Sequence, residues 1–196
     1  MKNRISQIFP TTTFIESSEP HIYMADFSMR TNSVRAVELF DNDLPKTPDG
    51  KNNMDCLSII NEERNCLTFN IFNDNQFKDD SGNSIKHPEA CLFIQDNLRW
   101  FCLIEIKDCK SKNVSNYNLD IKEKMAKCKE YLLGNNILDN SQKIYAIASY
   151  PRRKMSFDDS IFNNPFEVKK LLDNTGIIFM ATNSIAIKTL AIERLQ

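Results

Sequence analysis

Glycine, histidine and closely spaced cysteines are scarce in this chain of 196 residues, and their scarcity excludes several kinds of site. The four glycines form no glycine-rich phosphate loop, so asparagine and aspartate are expected to supply many of the turns. The two histidines, His21 and His87, are far apart and belong to no nucleophile elbow or Cys-His arrangement. The six cysteines contain no CxxC pair, which favours reduced core thiols over a zinc cluster or disulfides.

Long apolar runs and an excess of one charge are also missing. No run approaches the roughly 18 residues of a membrane span, and the N-terminal segment has no apolar signal-peptide region. The net charge of −1 means that a nucleic-acid partner would be held by a local patch. Hydrophobic residues are 41% of the chain and charged residues 26%, as in globular proteins. The sequence therefore predicts a cytoplasmic protein with no membrane association.

Hydrophobic periodicity predicts an α/β protein with a mixed central sheet flanked by helices. Helices are expected over residues 33–40, 54–63 and 118–133, and after Pro165 within 158–174. Strands are expected over residues 66–72, 90–94, 98–107 and 143–150, with a final pair at 176–182 and 184–190. The helix over 118–133 is the clearest, because its apolar residues form one stripe and a glycine follows it: Ile121, Met125, Cys128, Leu132 and Gly134.

The order of these elements from residue 54 onward is αβββαβ. We therefore interpret the chain as a single domain of ordinary size. Its core is residues 54–150, preceded by an N-terminal extension (1–53) and followed by a C-terminal extension (151–196).

Charged residues at one end of a predicted apolar hairpin, residues 87–107, are the most informative pattern. Glu89 opens the first strand, and Glu105 and Lys107 close the second. Ionised groups lose hydration when buried, so three of them together at the end of an apolar hairpin indicate a site. Strand alternation places Glu105 and Lys107 on one face.

The hairpin loop decides whether the two carboxylates meet. A three-residue loop, Asp96 to Leu98, would place Glu89 directly opposite Glu105. A two-residue loop would do so only with a compensating β-bulge. Carboxylates directly opposite each other destabilise a sheet unless a cation lies between them, and such oxygen-rich pairs suit Mg²⁺ or Mn²⁺.

This pattern resembles the PD-(D/E)XK nuclease superfamily, which includes many restriction endonucleases and RecB-type exonucleases. The motif residues are Pro88-Glu89 and, after a gap of 15 residues, Glu105-Ile106-Lys107. The resemblance implies a restriction-endonuclease-like αβββαβ core in which Glu89, Glu105 and the carbonyl of Ile106 hold Mg²⁺ or Mn²⁺. It also implies that Lys107 positions or activates the attacking water. The first acid is Glu where the family usually has Asp.

The predicted helix after the third strand carries candidate accessory residues. RecB-like members have Gln-x-x-x-Tyr there, and this chain has Lys127 and Tyr131 at those positions. Lys124, Lys127 and Tyr131 share one helix face, as a phosphate-contacting stripe would. An ordinary solvated face accounts for the lysines equally well.

Two further groups of charged residues are candidates. Family members often add an acid from the first helix, for which Glu38 is the main candidate and residues 62–63 are alternatives. Arg152, Arg153 and Lys154 follow a predicted strand and form a basic cluster suited to a phosphate backbone, or simply a charged surface.

Together these residues predict metal-dependent phosphodiester hydrolysis of nucleic acid, with DNA as the expected substrate, in restriction, repair or defence. A second interpretation is a catalytically inactive module of the same fold that binds nucleic acid or a protein partner. A third is that Glu105 and Lys107 form an ion pair at the sheet edge of an unrelated α/β domain. The two extensions can be interpreted as a homodimer surface or as target-recognition elements.

Overall fold

The protein's structure, a computed structural model, has more residues in strands than in helices over the part of the chain that it describes. It describes residues 1–27, 37–47, 49–73, 75–107, 114–153, 157 and 160–195. The helices in these ranges are α1 (Lys2–Ile8), α2 (Val114–Gly134) and α3 (Pro165–Thr175). The strands are β1 (Phe14–Ser17), β2 (His21–Asp26), β3 (Val37–Asp41), β4 (Leu57–Ile60), β5 (Leu67–Ile71), β6 (Ala90–Ile94), β7 (Asn97–Ile106), β8 (Lys143–Ser149), β9 (Ile177–Ala181), β10 (Ser184–Ile187) and β11 (Ile192–Arg194).

The strands form two mixed sheets. The six-stranded sheet has the order β1-β5-β6-β7-β8-β9, antiparallel from β1 to β7 and parallel from β7 to β9. The five-stranded sheet has the order β11-β10-β4-β2-β3, in which only β10 and β4 run parallel. The long strand β7 therefore has a neighbour on each side, antiparallel β6 and parallel β8.

The two sheets and the helices pack as three layers. Residues of β7 alternate between two cores: Phe101 and Leu103 contact the helix side, and Trp100, Cys102 and Ile104 contact the five-stranded sheet. Because both faces of this strand are covered, its sequence is almost continuously apolar. The mixed central sheet is confirmed, but in the described residues its helices cover one face and a second sheet covers the other.

Helix α2 packs on the six-stranded sheet through the stripe that the sequence predicted. Ile121, Met125, Cys128 and Leu132 are buried in the helix-side core, and the helix ends at Gly134 as predicted. Helix α3 begins where the Asn164 side chain accepts hydrogen bonds from two backbone N–H groups. Its C-terminus is capped by Gly176, whose φ of 62° suits glycine.

Two helix predictions are wrong. Residues 37–40 belong to β3 and residues 57–60 to β4, while residues 33–36 lie outside the described part of the chain. In β4 the buried residues Leu57 and Ile59 alternate with half-buried ones, a pattern too short to separate strand from helix by its period. Pairing with β2 and β10, which are distant in sequence, decides the strand.

The strand predictions are confirmed within one or two residues, except for the final pair. The strand predicted over 184–190 ends at Ile187, and β9 and β10 lie in different sheets and do not form a pair. The cysteines in the described residues are free thiols: Cys56, Cys66, Cys91, Cys102 and Cys128. No helix in the described ranges is both long enough and apolar enough to cross a membrane.

Candidate functional site

The β6–β7 hairpin aligns the two predicted acids through a β-bulge. The strands are joined by a two-residue turn, with Ile94 opposite Asn97, and the register shifts between Leu92 and Ile94. Beyond the bulge Ala90 pairs with Ile104, so the next position in the register places Glu89 opposite Glu105. The predicted condition, a bulge compensating for a two-residue loop, is confirmed.

Glu105 is fully buried and has three hydrogen-bond donors around its carboxylate. Its Oε1 accepts from the Nζ atoms of Lys107 and Lys124, each at 2.7 Å. Its Oε2 accepts from the backbone N–H of Glu89 at 3.1 Å. Strand β7 supplies Glu105 and Lys107 on one face, and α2 supplies Lys124 from above that face. A buried carboxylate is tolerated here because two ammonium groups replace its hydration.

Lys107 lies beside the carboxylate with 21% of its side chain exposed. Its ammonium is 5.9 Å from the centre of the Tyr117 ring, and its backbone N–H donates to Ser149 on β8. Burial alone would lower the pKa of Lys107, but attraction to Glu105 and the hydrogen bond to it raise that pKa above its ordinary value. In this arrangement the Lys107 ammonium is a positive charge and a hydrogen-bond donor beside Glu105.

Glu89 is half-buried and lines a surface cleft of about 350 Å³, together with His87 and Lys124. Burial, followed by repulsion from Glu105, raises its pKa from the ordinary value of 4.5 to about 7. The two lysines partly oppose this rise. Near neutral pH the Glu89 carboxyl is thus divided between its charged and neutral forms, and a cation in the cleft would favour the charged form.

Asp26, at the end of β2, adds to the negative field at this place, and sequence reasoning missed it. It is 9% exposed and lies on the same face of β2 as Ile22 and Met24, which pack between the sheets. Repulsion from Asp26 contributes to the raised pKa of Glu89. The available signal was the alternation of apolar residues over 21–26 ending in an acid, but no strand was predicted there.

The acidic side chains at this place offer oxygen atoms, the type of ligand that hard divalent cations take. The site offers the carboxylates of Glu89 and Glu105. Ile106 could contribute only its backbone carbonyl, because its side chain is buried between the sheets. In the described part of the chain, no three Asp, Glu, His or Cys side chains gather closely enough to hold a metal. Mg²⁺ is commonly held by one or two carboxylates, with water and substrate phosphate as the other ligands.

The predicted accessory residues do not all join this site. Of the stripe on α2, only Lys124 contacts Glu105. Lys127 is exposed and paired with Glu123 at 2.9 Å, and Tyr131 packs in an aromatic cluster against Phe9 and Phe77.

Glu38 lies in β3 opposite Ala25 and lines a different cleft on the outer face of the five-stranded sheet. It is therefore not among the residues around Glu105.

The predicted basic cluster follows β8 at the end of the sheet where Glu105 lies. Ser149 pairs in parallel register with Ile106, and the chain reaches Arg152 and Arg153 directly afterwards. The Arg153 guanidinium is 4.9 Å from the centre of the Phe157 ring. Lys154 lies outside the described residues.

His87 forms one wall of the cleft. Its ring stacks on Phe77 with 4.4 Å between centroids, and its Nδ1 lies 2.8 Å from the carbonyl oxygen of Pro88. The segment before β6 is thus anchored by an aromatic contact, which positions Glu89 at the start of the strand.

Comparison with family models, with curated proteins and with solved structures gave no match to this chain. Interpretation of the site therefore depends on its own geometry and chemistry.

Proposed function

We propose that the protein is a metal-dependent nuclease that hydrolyses phosphodiester bonds in nucleic acid, with DNA as the expected substrate. The single observation that carries this proposal is the arrangement around Glu105. A buried acid on a central strand lies opposite a second acid, with a cationic lysine two residues further on the same face. An ion pair between Glu105 and Lys107 at the edge of an unrelated sheet would require neither a second acid opposite Glu105 nor a position on a central strand.

The chain topology supports the same proposal. Strands β5, β6 and β7, helix α2 and strand β8 follow one another in the order βββαβ, with β7 and β8 parallel. This agrees with the corresponding part of the PD-(D/E)XK core. The helix expected at 54–63 is absent from that position, and α1 instead packs on the helix side through Ile5.

In the proposed reaction Glu89, Glu105 and the carbonyl of Ile106 would hold Mg²⁺ or Mn²⁺. Such an ion lowers the pKa of bound water and stabilises charge that develops on phosphate. Lys107, which stays protonated, donates a hydrogen bond that orients the attacking water. Arg152 and Arg153 supply positive charge for the nucleic-acid backbone at the same end of the sheet. Restriction, repair and defence against foreign DNA are the biological settings that we propose.

The test combines Mn²⁺ calorimetry with a plasmid-nicking assay. Wild type is expected to bind Mn²⁺ and nick DNA, while Glu105→Gln loses both and Lys107→Met binds Mn²⁺ but loses about 100-fold or more in rate. Glu123→Gln is the matched control, because it removes an acid near the cleft that does not face Glu105. Nicking by Lys107→Met at the wild-type rate would contradict the role given to this lysine.

A catalytically inactive module that binds nucleic acid or a protein partner is the second candidate. It is favoured by the two ammonium groups that already neutralise Glu105. It is also favoured because, among the described residues, no three Asp, Glu, His or Cys side chains gather closely enough to hold a metal. Binding of labelled DNA with no Mn²⁺ titration and no nicking would establish this alternative.

A further inference from the structure

The Glu105 carboxylate is paired with a second ammonium group, that of Lys124, to which the proposed hydrolysis gives no role. We propose that Lys124 is a displaceable counter-cation, which must release Glu105 before this acid can serve as a metal ligand. Nucleic acid in the cleft promotes the release by accepting the Lys124 ammonium on a phosphate. This inference depends on the proposed function, since it concerns how the same site is loaded.

Lys124 is placed to move between two partners. Its Nζ is 2.7 Å from Glu105 Oε1, and its side chain also lines the cleft beside Glu89. The backbone of α2 is held at this point by the neighbouring Met125, which is buried in the helix-side core. Only the flexible lysine side chain has to rotate for the ammonium to reach into the cleft.

The charges around Glu105 favour such a release. Lys107 and Lys124 both already oppose this carboxylate, so a divalent cation beside it would meet two positive charges in a partly buried place. Moving Lys124 outward to a phosphate reduces the positive charge at Glu105 and satisfies the ammonium again. Lys107 cannot take this part as readily, because it directly follows β7 and is only two residues from Glu105.

Cooperative binding follows from this arrangement. If DNA removes Lys124 from Glu105, then DNA raises the affinity for the metal, and the metal raises the affinity for DNA by the same factor. Lys127 serves as a control for Lys124. It lies about one turn further along α2, but its ammonium is paired with Glu123 and not with Glu105.

The experiment measures Mn²⁺ affinity by calorimetry, with and without a short duplex carrying phosphorothioate linkages, in wild type and three variants. Lys124→Gln keeps a donor for Glu105 but removes the charge, so it is expected to bind Mn²⁺ about tenfold tighter without DNA. The gain in affinity that DNA produces should largely disappear in this variant. Lys127→Gln should match wild type in both measurements.

Lys124→Arg gives a second, opposite expectation. Its guanidinium can hold a carboxylate with two hydrogen bonds, so Mn²⁺ should bind more weakly than in wild type. Unchanged or weaker Mn²⁺ binding by folded Lys124→Gln, or unchanged or tighter binding by Lys124→Arg, would overturn the inference while leaving the nuclease proposal intact. Absence of Mn²⁺ binding in every protein would instead overturn the nuclease proposal, and this inference with it.

Discussion

Two charged clusters lie along the same face of the molecule near α2, and they differ in burial. The buried cluster is Glu105 with Lys107 and Lys124, and its carboxylate has no exposed surface. The exposed cluster joins Lys86, Asp120, Glu123 and Lys127, whose side chains are 38–49% exposed. Charges in the exposed cluster remain hydrated and screened, whereas those in the buried cluster depend on one another. The comparison teaches that similar ion-pair distances carry very different energetic consequences.

The largest expected effect comes from removing the acid of the buried cluster. Glu105→Ala leaves two half-buried ammonium groups without their carboxylate, so the free energy of unfolding should fall by about 3 kcal/mol or more. Glu123→Ala, in the exposed cluster, should leave it close to the wild-type value. Urea denaturation monitored by circular dichroism measures both. Equal losses in the two variants would show that burial does not separate the clusters.

Glu89, beside the buried cluster, and Glu123, in the exposed cluster, should change the free energy of unfolding with pH in opposite directions. The folded-state pKa of Glu89, beside the buried cluster, is about 7 and its ordinary value is 4.5, so between these values the folded protein binds more protons than the unfolded chain. Stability should therefore fall as the pH rises through this window, by about 3 kcal/mol at most. Glu89→Gln should remove this fall, as measured by urea denaturation from pH 4.5 to 8.

Glu123 in the exposed cluster gives the contrasting case. Its hydrogen bonds from Lys86 and Lys127 lower the pKa to about 2, so any stability it contributes is present above its ordinary pKa of 4.5 and is lost as the pH falls toward 2. Glu123→Gln should accordingly leave the fall between pH 4.5 and 7 in place. Loss of that fall in Glu123→Gln would mean that Glu89 is not its source.

The smallest expected effect concerns salt and the exposed cluster. Lys86→Ala removes contacts to Asp120 and Glu123, and the melting temperature should drop slightly at low ionic strength. In about 1 M NaCl, where the screening length is near 3 Å, the difference from wild type should vanish. Scanning calorimetry at the two salt concentrations measures it. A difference that persists in high salt would indicate packing by the lysine stem instead of charge.

The hairpin and the long helix were predictable because their signals are local. Strand alternation assigned the faces of β7, and the requirement for an odd loop or a bulge followed from the two-residue side-chain period. The stripe of Ile121, Met125 and Cys128 likewise required only the helical period. These predictions are confirmed by the register of β6 and β7 and by the buried face of α2.

The five-stranded sheet was not predictable in the same way. Strands β3 and β4 are short, and apolar spacings in segments of this length fit a helix as well as a strand. Their pairing with β2 depends on residues far apart in the sequence, which no local pattern reports. The position of Asp26 near Glu89 was missed for the same reason.

By itself, the sequence determined that three charged residues end an apolar hairpin and that two of them share a face, because strand alternation is a property of the backbone. Only the tertiary structure decided which of the lysines on α2 serves that site. Lys124 and Lys127 are three residues apart and chemically identical, but one reaches a buried carboxylate and the other pairs with Glu123 at the surface. The difference depends on how α2 packs against core residues that are distant in sequence, which no local pattern reports.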